Sequence, residues 1–433
     1  METYKVRKLD RVNTQKNICV SVPGSKSITN RALLISALAK GRSVISGTLF
    51  SDDSRHFLKC LQDLGFTVEI DEESTVVCVE GNGGSIPKKE ASIYVGSAGT
   101  AARFLTALLG LSKGRYYIDA SEQMRKRPME PLLNSLIELG AKVIYHGEPG
   151  HFPFTIGNDK IVKNEITVNI DHSSQFLSAL LMCAPLIKKK FHVHIEGTHG
   201  MSYIDITTKM MEQFGCKCKK ERERTYIIQA GGQYGAKNYM IEPDVSAACY
   251  FYAMAPLLGI SVTVKNIYLD SMQGDIKFLN ILERLNCQLT QGLGGVSITG
   301  PTDRAYDGIE VDMGACSDQT MTLAAIAPFA KTATTIRNIS HIRFQESNRI
   351  QAIVNELSRM GISCEELQDG VKIIPGEVKP AEIETYDDHR MAMAFSLTGL
   401  RAEGITIRDP QCCRKTFENY FEVLENVIEE LLD

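Results

Sequence analysis

The 433-residue chain lacks several features that would assign it to a class at once. No apolar run approaches the roughly 20 residues of a membrane span, so we expect no membrane segment. The formal net charge is only -4, which argues against a general nucleic-acid surface. The opening METYKVRKLD does not have the pattern of a signal peptide, and we expect a cytoplasmic protein.

Metal-binding and nucleotide-binding patterns are also missing. The chain has 12 scattered cysteines, and the close pairs Cys216–Cys218 and Cys412–Cys413 have no second pair or histidine to complete a zinc site. We therefore expect reduced thiols and no metal. A P-loop is excluded as well, because Lys26 follows Ser25 where that motif requires glycine.

What the chain does contain is an internal repeat. An extended segment runs into a polar cluster and then into an apolar helix of small residues, and this pattern occurs six times, with markers 71 to 74 residues apart. The markers are Lys26, Gly99, Ser173, Ser246, Asp318 and His389. A β-branched run and a second, amphipathic helix follow in each copy. A unit of this length predicts an α/β protein of two domains with three copies each.

The start of each first helix is the predicted ligand-binding position. A helix N-terminus carries unsatisfied N–H groups and a partial positive charge, so it favours anions. Copy one places Lys26, Ser27 and Arg31 there, copy two places Gly99, and copy three places Ser173, Ser174 and Gln175. Ordinary helix capping and solvated charges are the alternative interpretation of each motif taken alone.

Further charged residues lie near the starts of other helices. Arg127, Arg349, Arg390 and Lys415 form a set of cations suited to phosphate and carboxylate groups. The acids Asp318 and Glu346 fall at comparable junctions. Among so many cations they would stay ionised or be poised for proton transfer, depending on their burial.

Five segments carry a family resemblance. VPGSKSITNRALL, SSQFLSALLMCAPL, RFQESNRI, DDHRMAMAF and CRKTFENYF, in this order and spacing, resemble the 3-phosphoshikimate 1-carboxyvinyltransferase (EPSP synthase) family over essentially the whole chain. The resemblance implies a two-domain inverse α/β barrel-like fold, in which each domain has three βαβαββ-type units. Residues 1–24 would join 244–433 in one domain, 25–243 would form the other, and the active site would lie in the interdomain cleft.

The resemblance also implies a reaction and a set of residue roles. The enolpyruvyl group of phosphoenolpyruvate would be joined to the 5-hydroxyl of shikimate 3-phosphate, on the route to chorismate and the aromatic amino acids, by a monomer without cofactor. Shikimate 3-phosphate would be bound by Lys26, Ser27, Arg31, Ser173, Ser174, Gln175, Tyr203, Asp318, His341 and Gln345. Phosphoenolpyruvate would be bound by Lys26, Gly99, Arg127, Gln175, Glu346, Arg349, His389, Arg390 and Lys415. Asp318, Glu346 and Lys26 would be catalytic.

Some positions depart from the family pattern. Gln345 stands where many relatives have Lys, and His341 where they have Asn; an amide still bonds a hydroxyl, so we expect weaker acceptor binding. Ser97 and Phe104 depart near Gly99, at the site where glyphosate commonly blocks the family. Two rivals are a UDP-N-acetylglucosamine enolpyruvyl transferase, disfavoured because the loop GLSKGRYYIDASEQMRKRP has no cysteine, and a non-catalytic anion-binding relative.

Overall fold

The computed structural model describes residues 2–14, 16–171 and 173–433, and it has two compact units. The N-terminal unit is Gly24–Ile241, and the C-terminal unit is Glu242–Asp433 together with the chain up to Pro23. Within the described residues, six sheets alternate with helices, so the predicted α/β class is confirmed. No helix in this part of the chain is both long and apolar enough to cross a bilayer.

Each sheet of the N-terminal unit has four strands and one connection pattern. The first strand runs parallel to the second, which pairs antiparallel with the third, and the fourth completes a hairpin. In spatial order the strands are Asn238–Met240, Lys40–Ser46, Val76–Asn82 and Thr67–Asp71; Glu90–Tyr94, Arg115–Asp119, Phe154–Asn158 and Ala141–Tyr145; and Glu165–Asn169, Phe191–Glu196, Thr225–Ile228 and Cys218–Glu221.

The helices of this unit form two groups. The first helix of each copy is almost entirely buried, as its small and apolar residues predict, and these helices are Lys26–Leu38, Gly99–Gly110 and Gln175–Cys183. The second helices are amphipathic and bury one face, and they are Asp52–Asp63, Glu130–Glu138 and Met201–Gln213. A short helix, Glu122–Arg125, and a 3₁₀ turn, Ala184–Ile187, complete the set.

The C-terminal unit repeats this plan with one shorter sheet. Its strands, in spatial order, are Gln288–Gly292, Gly295–Thr299, Ser261–Lys265 and Asn17–Val20; Glu310–Asp312, Thr334–Arg337, Val371–Ile373 and Cys364–Glu366; and Thr3–Lys5, Ile405–Arg408 and Ala381–Ile383. The buried first helices are Val245–Tyr252, continued by Met254–Leu258, then Thr320–Ile326 and His389–Arg401. The second helices are Phe278–Arg284, Arg349–Arg359 and Tyr420–Leu432. Turns of 3₁₀ helix are Gly274–Lys277, Ser317–Gln319, Ala327–Phe329, Ser340–Phe344 and Pro410–Lys415.

Copies one and four exchange their first strands. Asn17–Val20 precedes the helix of copy one but pairs in parallel with Ser261–Lys265 of copy four. Asn238–Met240 precedes the helix of copy four but pairs in parallel with Lys40–Ser46 of copy one. The repeat pattern shows what a unit contains and does not show which strand a neighbour accepts; only the family resemblance implied that residues 1–24 join 244–433.

Candidate functional site

The structure brings the predicted residues together in two sets, one within each unit. The N-terminal unit carries Lys26, Ser27, Arg31, Gly99, Arg127, Ser173, Ser174, Gln175 and Tyr203. The C-terminal unit carries Asp318, His341, Gln345, Glu346, Arg349, His389, Arg390 and Lys415.

In the N-terminal unit the predicted residues begin the three buried helices. Lys26, Gly99 and Gln175 are each the first residue of such a helix. The residues that precede them, Ser25, Ala98 and Ser174, make no side-chain cap hydrogen bond within the described structure. These helix ends therefore keep the backbone N–H groups that an anion can accept from.

Lys26 is held by an acid that the sequence reasoning missed. Its Nζ lies 3.2 Å from Oδ2 of Asp53, and both side chains are largely buried. Asp53 lies in the first turn of the second helix of the same copy. An acidic pair after Ser51 marked a helix start, but nothing in that pattern pointed to Lys26. The ion pair fixes the ammonium group at the entrance of the first helix.

Arg31 lies inside the N-terminal unit. Its guanidinium donates to the Thr207 hydroxyl (2.8 Å), the Ser178 hydroxyl (3.2 Å) and the backbone oxygens of Ser27 (2.8 Å) and Tyr203 (3.1 Å). Burial lowers its pKa to about 10. Arg31 thus joins the helix of copy one to the second helix of copy three, and it positions Ser27 and Tyr203.

Two guanidinium groups converge on Gly99. A Cβ atom at Gly99 would lie 2.6 Å from Nη1 of Arg127 and 2.7 Å from Nη1 of Arg103. Arg103 Nη1 also donates to Oε1 of Gln175 at 2.7 Å. We call Gly99, Arg103, Arg127 and Gln175 the arginine–glutamine cluster. A side chain at Gly99 would have to displace the guanidinium groups of Arg103 and Arg127.

Arg103 is the second residue that the sequence reasoning did not assign to the site. It is 2% exposed, its guanidinium carbon lies 5.3 Å from the centre of the Phe176 ring, and it has no acidic partner within the described residues. Burial first, and the charge of Arg127 second, hold its pKa well below the usual range of arginine. The four-residue spacing from Gly99 was the available signal.

The serine pair of copy three is shaped by a glycine. Ser173 Oγ accepts from the Gln175 backbone N–H at 3.3 Å. Gly200 has a φ of +67°, and a Cβ there would lie 2.4 Å from Ser174 Oγ. Glycine at this position therefore leaves room for Ser174 beside the start of the helix that carries Tyr203.

The C-terminal unit contains a network of alternating charges. Arg349 donates to Asp318 Oδ1 at 3.0 Å, and through Nε and Nη2 to both oxygens of Asp388 at 2.8 and 3.2 Å. Arg390 donates to Asp318 Oδ2 at 2.8 Å. We call Asp318, Arg349, Asp388 and Arg390 the carboxylate–arginine cluster; each of the four is at most 9% exposed.

The paired charges in this cluster outweigh the effect of burial. Burial alone would lower the pKa of Arg349, but Asp388 and Asp318 together raise it above the usual value. Burial would raise the pKa of Asp388, but Arg349 holds it below the usual range. Both groups are therefore ionised at neutral pH.

The other predicted residues of this unit surround the cluster. Gln345 accepts from Arg349, and Glu346 Oε2 lies 3.0 Å from His389 Nδ1. Lys415 forms an ion pair with the Asp387 carboxylate at 2.9 Å and also donates to the Asp387 backbone oxygen. Burial would lower the pKa of Lys415, but Glu346 and Asp387 raise it. His341 is buried in the 3₁₀ turn that precedes Gln345.

Asp388 and Asp275 were also not predicted, and Asp275 lies close enough to Asp318 for their charges to interact. Asp275 accepts hydrogen bonds from Ser246 and from Gln319 Nε2, the latter at 3.1 Å. Burial first, and the charge of Asp318 second, raise the pKa of Asp275 to about 6.

Glu346, Asp388 and His389 place three potential ligand atoms within 4.8 Å of one another, the spacing of a metal site. The two Asp388 oxygens already accept from Arg349, from Ser347 Oγ and from the Arg390 N–H. A metal ion would have to break the Arg349 pair and enter among cations, so this geometry favours an anionic ligand.

A cavity of about 800 Å³ in the N-terminal unit lies apart from these residues. Its lining includes Leu38, Leu111 and Pro185, which follow or end the buried helices whose first residues are Lys26, Gly99 and Gln175. The cavity is therefore at the opposite helix ends from the candidate site.

The fold and the two charged clusters first define a class, the enolpyruvyl transferases. The fold matches the solved enolpyruvyl transferase NikO from Streptomyces tendae with a TM-score of 0.75 at 13% identity, covering 98% of this chain and 97% of that one. It matches the EPSP synthase from Acinetobacter baumannii with a TM-score of 0.82 at 25% identity, covering 99% and 98%.

Sequence comparison then identifies the family. The profile of EPSP synthase (3-phosphoshikimate 1-carboxyvinyltransferase) matches residues 12–424. The 3-phosphoshikimate 1-carboxyvinyltransferase of Nostoc punctiforme is 43% identical over 431 residues, 99% of this chain and 100% of the relative. That of Trichormus variabilis is 44% identical over 422 residues, 97% and 98% of the two chains. The chain belongs to the EPSP synthase family, as its five sequence segments predicted.

Proposed function

We propose that this chain transfers the enolpyruvyl group of phosphoenolpyruvate to the 5-hydroxyl of shikimate 3-phosphate, with release of phosphate. Membership of the EPSP synthase family over nearly the full length supports this reaction. The observation that carries it to individual residues is the convergence of Arg103 and Arg127 on Gly99, where a buried Arg103 has no acidic partner in the described structure.

The arginine–glutamine cluster is the proposed receptor for phosphoenolpyruvate in the N-terminal unit. Phosphoenolpyruvate carries a phosphate and a carboxylate, and guanidinium groups bind both in a bidentate manner. Gly99 allows the ligand to reach the helix N-terminus and Arg127, and Gln175 contributes an amide. Lys26 and the C-terminal-unit residues Glu346, Arg349, His389, Arg390 and Lys415 would complete this set, so that both clusters act on the same pair of substrates.

Shikimate 3-phosphate would be bound by the helix ends of copies one and three. Ser173, Ser174 and Lys26 lie at the starts of buried helices, where backbone N–H groups suit a phosphate. Arg31 already donates four hydrogen bonds within the protein, which supports a role in holding Ser27 and Tyr203 as well as in contacting the ligand. Gln345 and His341 would contribute neutral polar groups to the ring hydroxyls.

Proton transfer is proposed for the acids of the C-terminal unit. The hydroxyl oxygen of the acceptor forms a bond to C2 of the enolpyruvyl group while C3 gains a proton; loss of that C3 proton and of phosphate then restores the double bond. Asp318 accepts from Arg349 and Arg390, and its oxygens have further lone pairs to take the hydroxyl proton. Glu346, next to His389 and assisted by Lys26, would exchange the C3 proton.

Phosphate release tests the reaction against its two rivals. We expect release when the protein meets phosphoenolpyruvate and shikimate 3-phosphate together, and none with either alone. Release with UDP-N-acetylglucosamine in place of shikimate 3-phosphate would instead assign the sister activity. Binding of both substrates without release would assign a non-catalytic relative.

Asp318→Asn tests the assignment of the base. The variant keeps the side-chain volume but removes the charge that accepts a proton, and we expect kcat to fall by about 10²–10⁴-fold. Asp312→Asn is the matched control, because Asp312 is exposed on the preceding strand and bonds Asn338 and the Gly314 N–H. The assignment is wrong if both variants retain wild-type turnover.

We also propose that the protein works as a monomer in the cytoplasm. All 12 cysteines are free and most are buried, which fits a reducing compartment. Light scattering of the purified protein decides the oligomeric state, since a mass of twice 47.9 kDa would contradict a monomer.

A further inference from the structure

Glu356 is a buried acid that the proposed chemistry does not use. It lies in the helix Arg349–Arg359 and is 0% exposed. Its carboxylate accepts from the Tyr386 hydroxyl at 2.7 Å, from the Glu384 backbone N–H at 3.0 Å and from Arg359 Nε at 3.0 Å. Burial of a carboxylate is costly unless it is paired and hydrogen-bonded, and these three donors supply that compensation.

The segment that Glu356 holds has an unusual backbone. Tyr386 and Asp387 are consecutive non-glycine residues in the left-handed region, with φ of +57° and +52°. Non-glycine residues rarely adopt this conformation, and it persists only where the surroundings impose it. Asn355 adds a second restraint, because its Nδ2 donates to the Tyr386 hydroxyl at 3.2 Å.

The strained turn leads directly into the candidate site. Asp387, inside the turn, receives Lys415 on both its carboxylate and its backbone oxygen. Asp388, the next residue, pairs with Arg349 and caps the helix that begins with His389 by accepting from the Arg390 N–H. A change in the backbone at Tyr386 would therefore move the groups that hold Lys415, Arg349 and Arg390.

One helix grips this segment at two points. Arg349, its first residue, binds Asp388, and Glu356, seven residues later and two turns along the same face, binds Tyr386 and Glu384. The first grip acts on the site residue itself, whereas the second acts on the turn before it. The two grips together define the path of residues 384–388.

We propose that Glu356 is a positioning residue, which holds the left-handed turn at Tyr386 and Asp387 so that Lys415, His389 and Arg390 meet phosphoenolpyruvate in the productive geometry. The inference rests on the proposed function for its ligand. A displacement of about 1 Å far from the reacting atoms is enough to cost up to roughly 10²-fold in rate.

Three variants of the full chain test this role. Tyr386→Phe removes one hydrogen-bond donor to Glu356. Glu356→Gln replaces one of the two accepting carboxylate oxygens with an amide NH₂, which cannot accept a hydrogen bond. Arg359→Ala is the matched control, because it removes the half-exposed partner of the same carboxylate and leaves the turn untouched. Well below the melting temperature, we expect kcat/KM for phosphoenolpyruvate to fall about 10-fold or more in the first two and less than about twofold in the control.

Backbone hydrogen exchange separates positioning from stability and does not depend on turnover. We expect the Glu384 and Arg390 amides to exchange faster in Tyr386→Phe and Glu356→Gln, and to be unchanged in Arg359→Ala. If the wild type transfers no enolpyruvyl group, the proposed function fails, and exchange alone decides the positioning role. If Tyr386→Phe is folded and keeps wild-type kinetics and exchange, the inference is overturned, whether or not Glu356→Gln folds.

Discussion

The buried arginines of the two units have opposite environments. In the N-terminal unit, Arg31 and Arg103 bond neutral oxygens, have no acidic partner within the described residues, and have lowered pKa values. In the C-terminal unit, Arg349 pairs with two carboxylates, Asp318 and Asp388, and its pKa is raised. The same residue type is thus electrostatically unsatisfied in one unit and compensated in the other.

The two units also differ in whether side chains cap the N-termini of their buried helices. The N-terminal unit begins its buried helices after Ser25, Ala98 and Ser174, none of which makes a side-chain cap in the described structure. In the C-terminal unit, Asp244 and Asp388 cap the helices that follow them with carboxylate oxygens. One unit leaves its helix N-termini for an external acceptor, and the other has already filled two of them with its own acids.

This difference shows how a repeated frame can divide one task. A buried cation without a counter-ion destabilises the protein until an anion binds, so the N-terminal unit is built to receive ligand charge. In the carboxylate–arginine cluster the charges are already paired, which keeps Asp388 ionised and holds Asp318 in a fixed position. The C-terminal unit is therefore suited to proton transfer, as proposed for Asp318 and Glu346.

Removal of Arg349 should disrupt the charge pairing of the carboxylate–arginine cluster and have the largest effect on stability. Arg349→Met leaves Asp318 and Asp388 buried with less positive charge, and loss of one partner of a buried ion pair costs about 3–5 kcal/mol. We expect the free energy of unfolding in denaturant to fall by that amount. Turnover should be lost at the same time, because Arg349 belongs to the proposed phosphoenolpyruvate site and holds both Asp318 and Asp388.

Arg337→Met is the control for Arg349→Met. Arg337 pairs with Asp369 and Glu310 at the surface, with much of each side chain in solvent. Such pairs contribute about 0–1 kcal/mol. Equal losses in the two variants would contradict the assignment of Arg349 as the residue that compensates the cluster.

Asp275 sharpens the comparison, because this buried acid of the C-terminal unit has a raised pKa, unlike Asp388. Its folded pKa of about 6 lies above the usual 3.9, so its contribution to stability is present below about pH 4 and is lost as pH rises through about 6. Relative to Asp275→Asn, the wild type should lose about 1–3 kcal/mol between pH 4 and 6.5. Denaturant unfolding across this range measures the difference, and a pH-independent difference would place the pKa elsewhere.

Much of the fold could be predicted because it follows from periodicity. Two helices and a β-branched run in each copy produce a recurring hydrophobic pattern, and the structure has two helices and such a strand in each copy. The partners of the exchanged strands Asn17–Val20 and Asn238–Met240 could not be predicted from the repeat, because both strands have the same alternation and would fit either sheet. Choice of partner depends on the path of the chain, which no local pattern records.

The candidate site likewise contains residues that local sequence predicts and residues that it does not. Lys26, Gly99 and Gln175 could be predicted from their places at helix starts, since that position has a physical consequence of its own. Asp53 and Arg103 could not, because each matters only through a partner brought close by folding. Resemblance to the family supplied roles for residues such as Tyr203 that position alone does not explain.

The smallest expected change in stability comes from Arg103, and it tests the uncompensated side of the comparison. Arg103→Met removes a buried charge together with its desolvation cost, and it leaves the Gln175 and Gly99 oxygens without one donor. These terms oppose each other, so we expect the free energy of unfolding to change by no more than about 1 kcal/mol in either direction. Ligand binding should respond very differently. Phosphoenolpyruvate should raise the melting temperature of the wild type through preferential binding to the folded state, and Arg103→Met should lose most of that rise. A loss of several kcal/mol without ligand would show instead that Arg103 is a structural residue like Arg349, and the contrast between the two units would then fail at its most specific point.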